Sequence, residues 1–106
     1  MRLVIIESPY AGDVEFNLAY ARRALLDSLR RGESPIASHL LYTQVLDDGV
    51  PAERKLGIEA GLAWRRVAEV SAVYADLGIS SGMQYGIDLA VEAGLIIDYR
   101  TIGAWT

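Results

Sequence analysis

The sequence contains no cysteine among its 106 residues. Disulfide bonds and thiolate-bound metal sites are therefore excluded, and the chain does not need an oxidising compartment. Positive charge is also scarce, since 10 Lys and Arg residues face 14 Asp and Glu residues and the formal net charge is −4. A protein that grips duplex nucleic acid needs clustered cations to neutralise phosphates, so this composition argues against nucleic-acid binding.

Long hydrophobic runs are missing from the amino terminus, where the apolar stretch 3–6 is too short for a signal peptide or a membrane span. We therefore expect a soluble, cytoplasmic protein that has no membrane partner. Hydrophobic residues make up 52% of the chain, which is enough to bury a core at this length. The sequence predicts a single domain over residues 1–106.

Apolar, strand-like stretches alternate with helical patterns along the chain. The predicted strands are 3–6, 36–42, 70–75 and 95–99, and the predicted helices are 12–31, 51–68 and 82–93. This order predicts an α/β protein with a Rossmann-like (flavodoxin-like) three-layer sandwich and a small, mainly parallel sheet of about four strands. The first strand should be central, because it is apolar throughout and fits a strand covered on both faces.

The helices carry apolar residues at helical spacing, and we expect those residues to face the sheet. Asp13 should cap the first helix, and Pro51 suits the first turn of the second. The expected buried residues are Val14, Leu18, Ala21, Leu25 and Leu29 in the first helix, and Leu56, Ile58, Leu62 and Trp64 in the second.

The run from Ile79 to Asp88 is typical of a turn from a buried strand into a helix. Ser80 or Ser81 can cap that helix, and Gly82 begins it. Open α/β sheets bind ligands at the carboxyl ends of their strands, and the free N–H groups of a helix start favour an anion such as phosphate. This run therefore predicts one wall of a nucleotide-type pocket, and the turn after the first strand predicts another.

Several segments taken together resemble the nucleoside 2-deoxyribosyltransferase-like superfamily, and in particular a branch of short, uncharacterised bacterial and phage proteins. The resemblance covers nearly the whole chain in order. Its segments are Ser8-Pro9-Tyr10-Ala11-Gly12-Asp13 with Asn17 and Ala21, then Ser38-His39-Leu40-Leu41, Gly57-Ile58-Glu59-Ala60-Gly61, and Gly78-Ile79-Ser80-Ser81-Gly82-Met83 with Ile87 and Ala90.

The resemblance implies a Rossmann-like parallel fold, a homodimer or higher homo-oligomer, and chemistry on the N-glycosidic bond of deoxynucleosides or their monophosphates. It places Ser80 near a phosphate and Gly82 on the motif glycine. The position of the nucleophilic Glu is occupied by Gly86, and Gly61 lies where the family has a further acid. Because glycine supplies no carboxylate, the resemblance implies binding of a nucleoside or nucleotide more strongly than catalysis.

Two carboxylates remain as candidate catalytic groups. Glu7 ends the first strand and can act as a general base or accept a hydrogen bond from a ribose hydroxyl, although a turn or capping role is an equal alternative. Asp76 closes the third strand and can face a ligand or cap the next helix. The candidate ligand-binding residues are Ser8, Tyr10, Gly12, His39, Ser80, Ser81, Gly82 and Met83.

We predict neither a metal nor a cofactor, because His39 is a lone histidine without a second ligand at metal spacing. Three functions stay open. The first is a nucleotide-binding protein without catalysis, the second is an active N-glycosidase or transferase that uses Glu7 or Asp76, and the third is an interaction protein with a filled cleft. Trp64 and Trp105 are candidate core or interface residues, and the tail 101–106 is expected to pack on a second subunit.

Overall fold

A computed structural model describes residues 1–103 of the chain. Four strands and three α-helices alternate along the sequence, and three short 3-10 turns lie between them. The elements are β1 (Leu3–Glu7), α1 (Val14–Arg30), β2 (Ser34–Ile36), 3-10 turns at Ser38–Leu40 and Tyr42–Gln44, α2 (Pro51–Ala63), a 3-10 turn at Trp64–Arg66, β3 (Val70–Tyr74), α3 (Ser81–Glu92) and β4 (Ile96–Arg100).

The sheet has the order β2-β1-β3-β4, and every pair of neighbouring strands is parallel. The predicted α/β, Rossmann-like fold with four strands is thus confirmed. β1 lies inside the sheet between β2 and β3, as its continuous apolar sequence predicts. The carboxyl ends of all four strands lie at one edge, which is where an open sheet of this kind places its ligand.

Helices cover the two faces of the sheet. Val4 and Ile6 point to the α1 face, where they join a core that includes Tyr20 of α1. Ile5 points to the opposite face and packs with Ala90 of α3. This alternation follows from the period of two along a strand, and it sends the next odd-numbered residue of β1, which is Glu7, to the α3 side.

The helix ends follow the capping chemistry in the sequence. The Asp13 carboxylate accepts a hydrogen bond from the N–H of Phe16 at 3.2 Å, so Asp13 caps α1 as predicted. Gly32 follows the end of α1 with φ 81°, a left-handed conformation that glycine adopts without strain. Pro51 lies in the first turn of α2, where its missing N–H costs no helical hydrogen bond.

The second strand was predicted too late in the chain. β2 covers only Ser34–Ile36, and the segment predicted to continue it forms two 3-10 turns instead. Pairing with β1 decides this register, because Leu3, Val4 and Ile5 of β1 lie opposite residues 34–36. Pro35 fits this short strand because β2 is at the edge of the sheet, where a missing N–H is tolerated.

The predicted buried face of α1 was also wrong in part. Ala21 is fully buried as expected, but Leu29 is 49% exposed and Val14 is 36% exposed. The helix instead buries polar and small residues that fit close to the sheet. These are Asn17, Tyr20, Ala21, Ala24 and Ser28.

The burial predicted for α2 was wrong for three residues. Leu56 is 56% exposed, Ile58 is 42% exposed and Trp64 is 43% exposed. The main contacts of α2 are with the 3-10 turns Ser38–Leu40 and Trp64–Arg66 and not with a strand, so these apolar side chains stay exposed. Gly61 makes the closest approach, since a Cβ atom at that position would lie 3.0 Å from the Cβ of Ser38.

A buried ion pair lies on the α1 side of the molecule. The guanidinium of Arg100 donates two hydrogen bonds to the carboxylate of Glu33, at 2.7 and 2.8 Å. Ser28 and Arg2 donate two more to the same carboxylate, at 2.8 and 3.1 Å. The hydrogen bonds from Arg100 outweigh the effect of burial and lower the pKa of Glu33 to about 2.

Among residues 1–103, no helix is long and apolar enough to cross a membrane. Part of the predicted tail, including Trp105, lies outside the described residues.

Candidate functional site

A cavity of about 460 Å³ opens at the edge of the sheet where β1 and β3 end. Its walls come from the end of β1, the 3-10 segment after β2, the start of α2 and the first turns of α3. The lining residues are Glu7, Ser8, Tyr10, Ala11, Ser38, His39, Tyr42, Thr43, Leu46, Asp48, Glu53, Arg54, Gly57, Ile58, Ser80, Ser81, Gly82, Met83 and Tyr85.

The structure brings most of the predicted site residues together in this cavity. Three segments that are far apart in the sequence contribute them, because parallel strands deliver their following loops to the same edge. The predicted residues that line the cavity are Glu7, Ser8, Tyr10, His39, Ser80, Ser81, Gly82 and Met83. Gly12 and Asp76 do not line it.

Glu7 lies under α3 and forms an ion pair with Arg65, whose Nη2 atom is 3.1 Å from Oε1 of the carboxylate. Both side chains are buried, with 13% of Glu7 and 9% of Arg65 exposed. Burial raises the pKa of Glu7 to about 7, although the charge of Arg65 and its hydrogen bond act in the opposite direction. The carboxyl group can therefore gain or lose a proton near neutral pH.

Ser8 and His39 form a hydrogen-bonded pair in the same cavity, with 2.7 Å between Oγ and Nε2. Burial lowers the pKa of His39 to about 4, so the imidazole is neutral at pH 7. Within residues 1–103, no carboxylate or carbonyl bonds the other ring nitrogen. The pair therefore offers neutral donors and acceptors to a ligand and lacks the orienting group that an activated serine nucleophile has.

The start of α3 forms another part of the cavity wall. The Ser80 hydroxyl caps the helix and accepts a hydrogen bond from the N–H of Met83 at 3.2 Å. This confirms Ser80, and not Ser81, as the N-cap. The N–H groups of Ser81 and Gly82 have no partner within the helix, because they belong to its first turn. Such groups attract an anion, and the helix dipole adds to that attraction.

The Asp76 carboxylate is occupied by hydrogen bonds within the protein. Its carboxylate accepts hydrogen bonds from the Tyr20 hydroxyl and from the N–H groups of Ile102 and Gly103. Burial raises the pKa of Asp76, but these hydrogen bonds outweigh burial and leave the pKa below its usual range. Asp76 therefore ties the segment after β4 to the end of β3 and to α1.

Gly12 stabilises the turn after β1 and is exposed. Its φ of 99° lies in the left-handed region, which explains the choice of glycine. The side-chain amide of Asn17 donates to the carbonyls of Tyr10 and Ala11, both at 3.0 Å, and fixes the same turn from α1.

Sequence reasoning missed some residues of the cavity and one residue beside it. Arg65 contacts Glu7 but does not line the cavity. It falls in the 3-10 turn after α2 and carries no motif, so only the tertiary contact with Glu7 reveals it. Asp48 stands next to Gly49 in a sequence pattern typical of a turn. It does lie in that turn, where the Asp47 carboxylate accepts a hydrogen bond from the N–H of Gly49 at 2.9 Å, but it also lines the cavity. Tyr42 was missed because residues 36–42 were predicted as a strand.

No cluster of three or more His, Cys, Asp or Glu side chains in the described part of the chain is arranged to hold a metal ion. The cavity offers three carboxyl groups, one guanidinium, a neutral Ser–His pair, a helix start and several tyrosines, the charged groups being those of Glu7, Asp48, Glu53 and Arg54. These groups suit recognition of a ligand with both polar and aromatic parts.

Comparison with known protein families gives a match over nearly the whole chain. Residues 2–100 match the model of a domain of unknown function, DUF7768. The chain belongs to the DUF7768 family. No curated protein matches the chain significantly. Membership in DUF7768 brings no activity with it, so the function must be argued from the cavity.

Proposed function

We propose that this DUF7768 protein is nucleoside 2-deoxyribosyltransferase-like and binds a nucleoside or nucleotide-type ligand in the cavity. The observation that supports the proposal best is the convergence of the turn after β1, the His39 segment and the Ser80 turn on one cavity. These are the segments on which the sequence resemblance depends. The volume of about 460 Å³ is within the range of small-molecule sites, which is about 300–1,000 Å³.

The cavity offers a separate group for each part of a nucleotide. The first N–H groups of α3 suit a phosphate. Tyr10, Tyr42 and Tyr85 offer aromatic faces for a base, and such stacking tolerates any base because each has a π-face. Ser8 and His39 offer neutral hydrogen-bonding groups for a sugar hydroxyl or a base edge.

Thermal shift measurements with 2′-deoxynucleosides, their 5′-monophosphates and inorganic phosphate test the proposal. A monophosphate at 100 times its dissociation constant should add about 2.7 kcal/mol to the free energy of unfolding. His39→Ala should weaken the response, while Arg31→Gln at the exposed residue just after α1 should leave it unchanged. A flat response to all nucleosides and nucleotides would contradict the proposal, and a response to inorganic phosphate alone would restrict it to an anion site.

A second candidate function is cleavage or transfer at the N-glycosidic bond with Glu7 as the catalytic carboxylate. It is favoured by the position of Glu7 in the cavity and by its pKa of about 7, which suits acid–base work at neutral pH. In hydrolysis, water adds to the sugar carbon as its bond to the base nitrogen breaks, and the base leaves with a proton. Asp76 offers less support as an alternative, since it lies outside the cavity lining.

Release of free base from deoxynucleosides and their monophosphates, followed by chromatography, tests this second function. Glu7→Gln should abolish release and keep binding. No release by the unmodified protein at high concentration, with binding still present, would leave the binding function alone. The third alternative, an interaction protein with a filled cleft, is less favoured because an open volume of about 460 Å³ remains.

We further propose a homo-oligomer, most simply a homodimer, in the cytoplasm. The exposed apolar side chains of α2 support assembly, since Leu56 is 56% and Ile58 is 42% exposed. Light scattering coupled to gel filtration measures the mass directly. A mass of one chain at micromolar concentration would exclude a stable dimer. The absence of cysteine agrees with a reducing compartment.

A further inference from the structure

Gly86 lies directly against the carboxyl group of Glu7. A Cβ atom built at Gly86 would be 1.9 Å from Oε2 of Glu7, 2.7 Å from its Cδ and 2.8 Å from Nη2 of Arg65. No side chain can therefore occupy position 86 while Glu7 keeps its place. Gly82 lies one turn earlier on α3 and is different, because the nearest atom to its Cβ position is Oγ of Ser80 at 4.0 Å.

The polar atoms at this contact are incompletely paired. Oε2 of Glu7 and Nε of Arg65 are both buried, and neither has a hydrogen-bond partner among the described residues. A buried ion pair with unpaired atoms is costly to a fold, so stability alone does not explain why this one is kept. Incompletely paired carboxylates next to a cleft are typical of functional groups.

We propose that Arg65 and Gly86, which do not line the cavity themselves, form a carboxylate seat next to it, and that Glu7 fills this seat from the end of β1 and reaches the cavity. Gly86 supplies the space and Arg65 supplies the positive charge, so both are positioning residues for Glu7. The existence of the seat follows from contacts within the protein. Only the action of Glu7 on a ligand rests on the proposed function.

Burial is the main influence on the pKa of Glu7, and Arg65 is the charged group that opposes it. On β3 the residue paired with Glu7 is Val73, and on α3 Gly86 lies against the Glu7 carboxyl group. His39 lies in the same cavity but its Nε2 atom bonds Ser8. Arg65 is thus the charged group in contact with Glu7.

A double-mutant cycle tests whether the carboxylate seat holds a single carboxylate that can be supplied either by β1, at position 7, or by α3, at position 86. Asp is the residue to place on α3, since its carboxyl group is one bond from Cβ and falls where the Glu7 carboxylate now lies. Glu7→Ala should lower the melting temperature because Arg65 is left buried and unpaired. Gly86→Asp should lower it further because two carboxyl groups then compete for one space. The double variant Glu7→Ala/Gly86→Asp should melt above both single variants.

The matched control is Gly82→Asp, which makes the same change one turn away in open space and should show no coupling to Glu7→Ala. If the effects of Glu7→Ala and Gly86→Asp simply add, there is no shared seat and the inference is overturned. This cycle needs no ligand. If no nucleotide shifts the melting temperature, the proposed function is contradicted and the carboxylate seat is unaffected. If the two substitutions are additive, the carboxylate seat is contradicted and the proposed function is unaffected.

The effect of Arg65 on the pKa of Glu7 can be tested by following the NMR chemical shift of the Glu7 carboxyl carbon as a function of pH. Arg65→Gln should move the midpoint to higher pH, because the neighbouring positive charge is lost. Arg65→Lys keeps the charge and should return the midpoint toward that of the unmodified protein. An unchanged midpoint in Arg65→Gln would show that Arg65 only packs against Glu7, as would a Lys variant that titrates like the Gln variant.

Discussion

Two buried Glu–Arg pairs in this small protein have opposite properties. In the pair on the α1 side, Glu33 accepts four hydrogen bonds and its pKa falls to about 2. In the pair under α3, Glu7 has one bonded and one unpaired oxygen, and its pKa rises to about 7. Both carboxylates lie next to a guanidinium, but burial is the main influence on the pKa of Glu7 and hydrogen bonds are the main influence on the pKa of Glu33.

The balance between burial and hydrogen-bond donors decides in which direction the pKa of each carboxylate moves. Hydrogen bonds to the charged form lower its pKa, and burial without enough of them raises it. Arg100 meets Glu33 with two parallel hydrogen bonds, and Arg65 meets Glu7 with one. We therefore expect the Glu33–Arg100 pair to stabilise the fold. The Glu7–Arg65 pair instead leaves a carboxyl group whose pKa is close to neutral pH.

The largest expected effect is the loss of the fully bonded pair. Arg100→Met should lower the free energy of unfolding by about 3–5 kcal/mol, because Glu33 is left buried without its main partner. Urea denaturation measures the change. Lys55→Gln is the control, since the Lys55–Glu59 pair is exposed and should contribute less than about 1 kcal/mol. Equal losses in both variants would show that the buried pair contributes no more to the free energy of unfolding than the exposed pair does.

A smaller loss is expected at Asp76, which like Glu33 accepts hydrogen bonds from several donors. Tyr20→Phe removes the hydroxyl that donates to Asp76 and should cost about 1–3 kcal/mol. The same variant should keep nucleotide binding, because Asp76 lies outside the cavity lining. Loss of binding at unchanged stability would return Asp76 to the list of candidate site residues.

The two pairs should also affect stability in opposite directions as pH changes. Glu7 binds its proton more tightly in the folded state, so between pH 4.5 and about 7 its contribution to stability falls as pH rises. Glu33 binds its proton less tightly in the folded state, so its contribution is lost as pH falls from 4.5 toward about 2.

The unmodified protein compared with Glu7→Gln isolates the first of these terms. Denaturation at several pH values between 5 and 8 should show Glu7→Gln gaining relative stability as pH rises. His39 acts in the other direction over part of this range, since its pKa is lowered to about 4, but it is common to both proteins and cancels in the difference. A difference that does not vary with pH would mean that Glu7 titrates normally.

The smallest expected effect is a proton taken up with the ligand. A phosphate at the start of α3 would lie about one helical turn, or roughly 5.4 Å, along the helix from the Glu7 contact. Its negative charge should raise the pKa of Glu7, so binding of a monophosphate at pH 7 should take up a fraction of a proton. Calorimetry in buffers of different ionisation enthalpy measures this uptake, which should vanish in Glu7→Gln.

Local chemistry in the sequence predicted most of the fold. The alternation of apolar runs and helical patterns gave the parallel α/β order, and Asp13, Pro51 and Ser80 marked helix starts correctly. Predictions failed where a segment depends on what it packs against. β2 is set by its pairing with β1, and α2 leaves Leu56 and Ile58 exposed because its main contacts are with 3-10 turns and not with a strand.

For the candidate site, the sequence by itself determined which turns follow the strands and hence which residues gather at one edge of the sheet. It also showed that position 86 is a glycine. Only the tertiary structure decided what that glycine does, because the contact joins the end of β1, the segment after α2 and the middle of α3. Burial and hydrogen-bond count then set the charge of Glu7, and both are properties of packed neighbours that no single stretch of sequence contains.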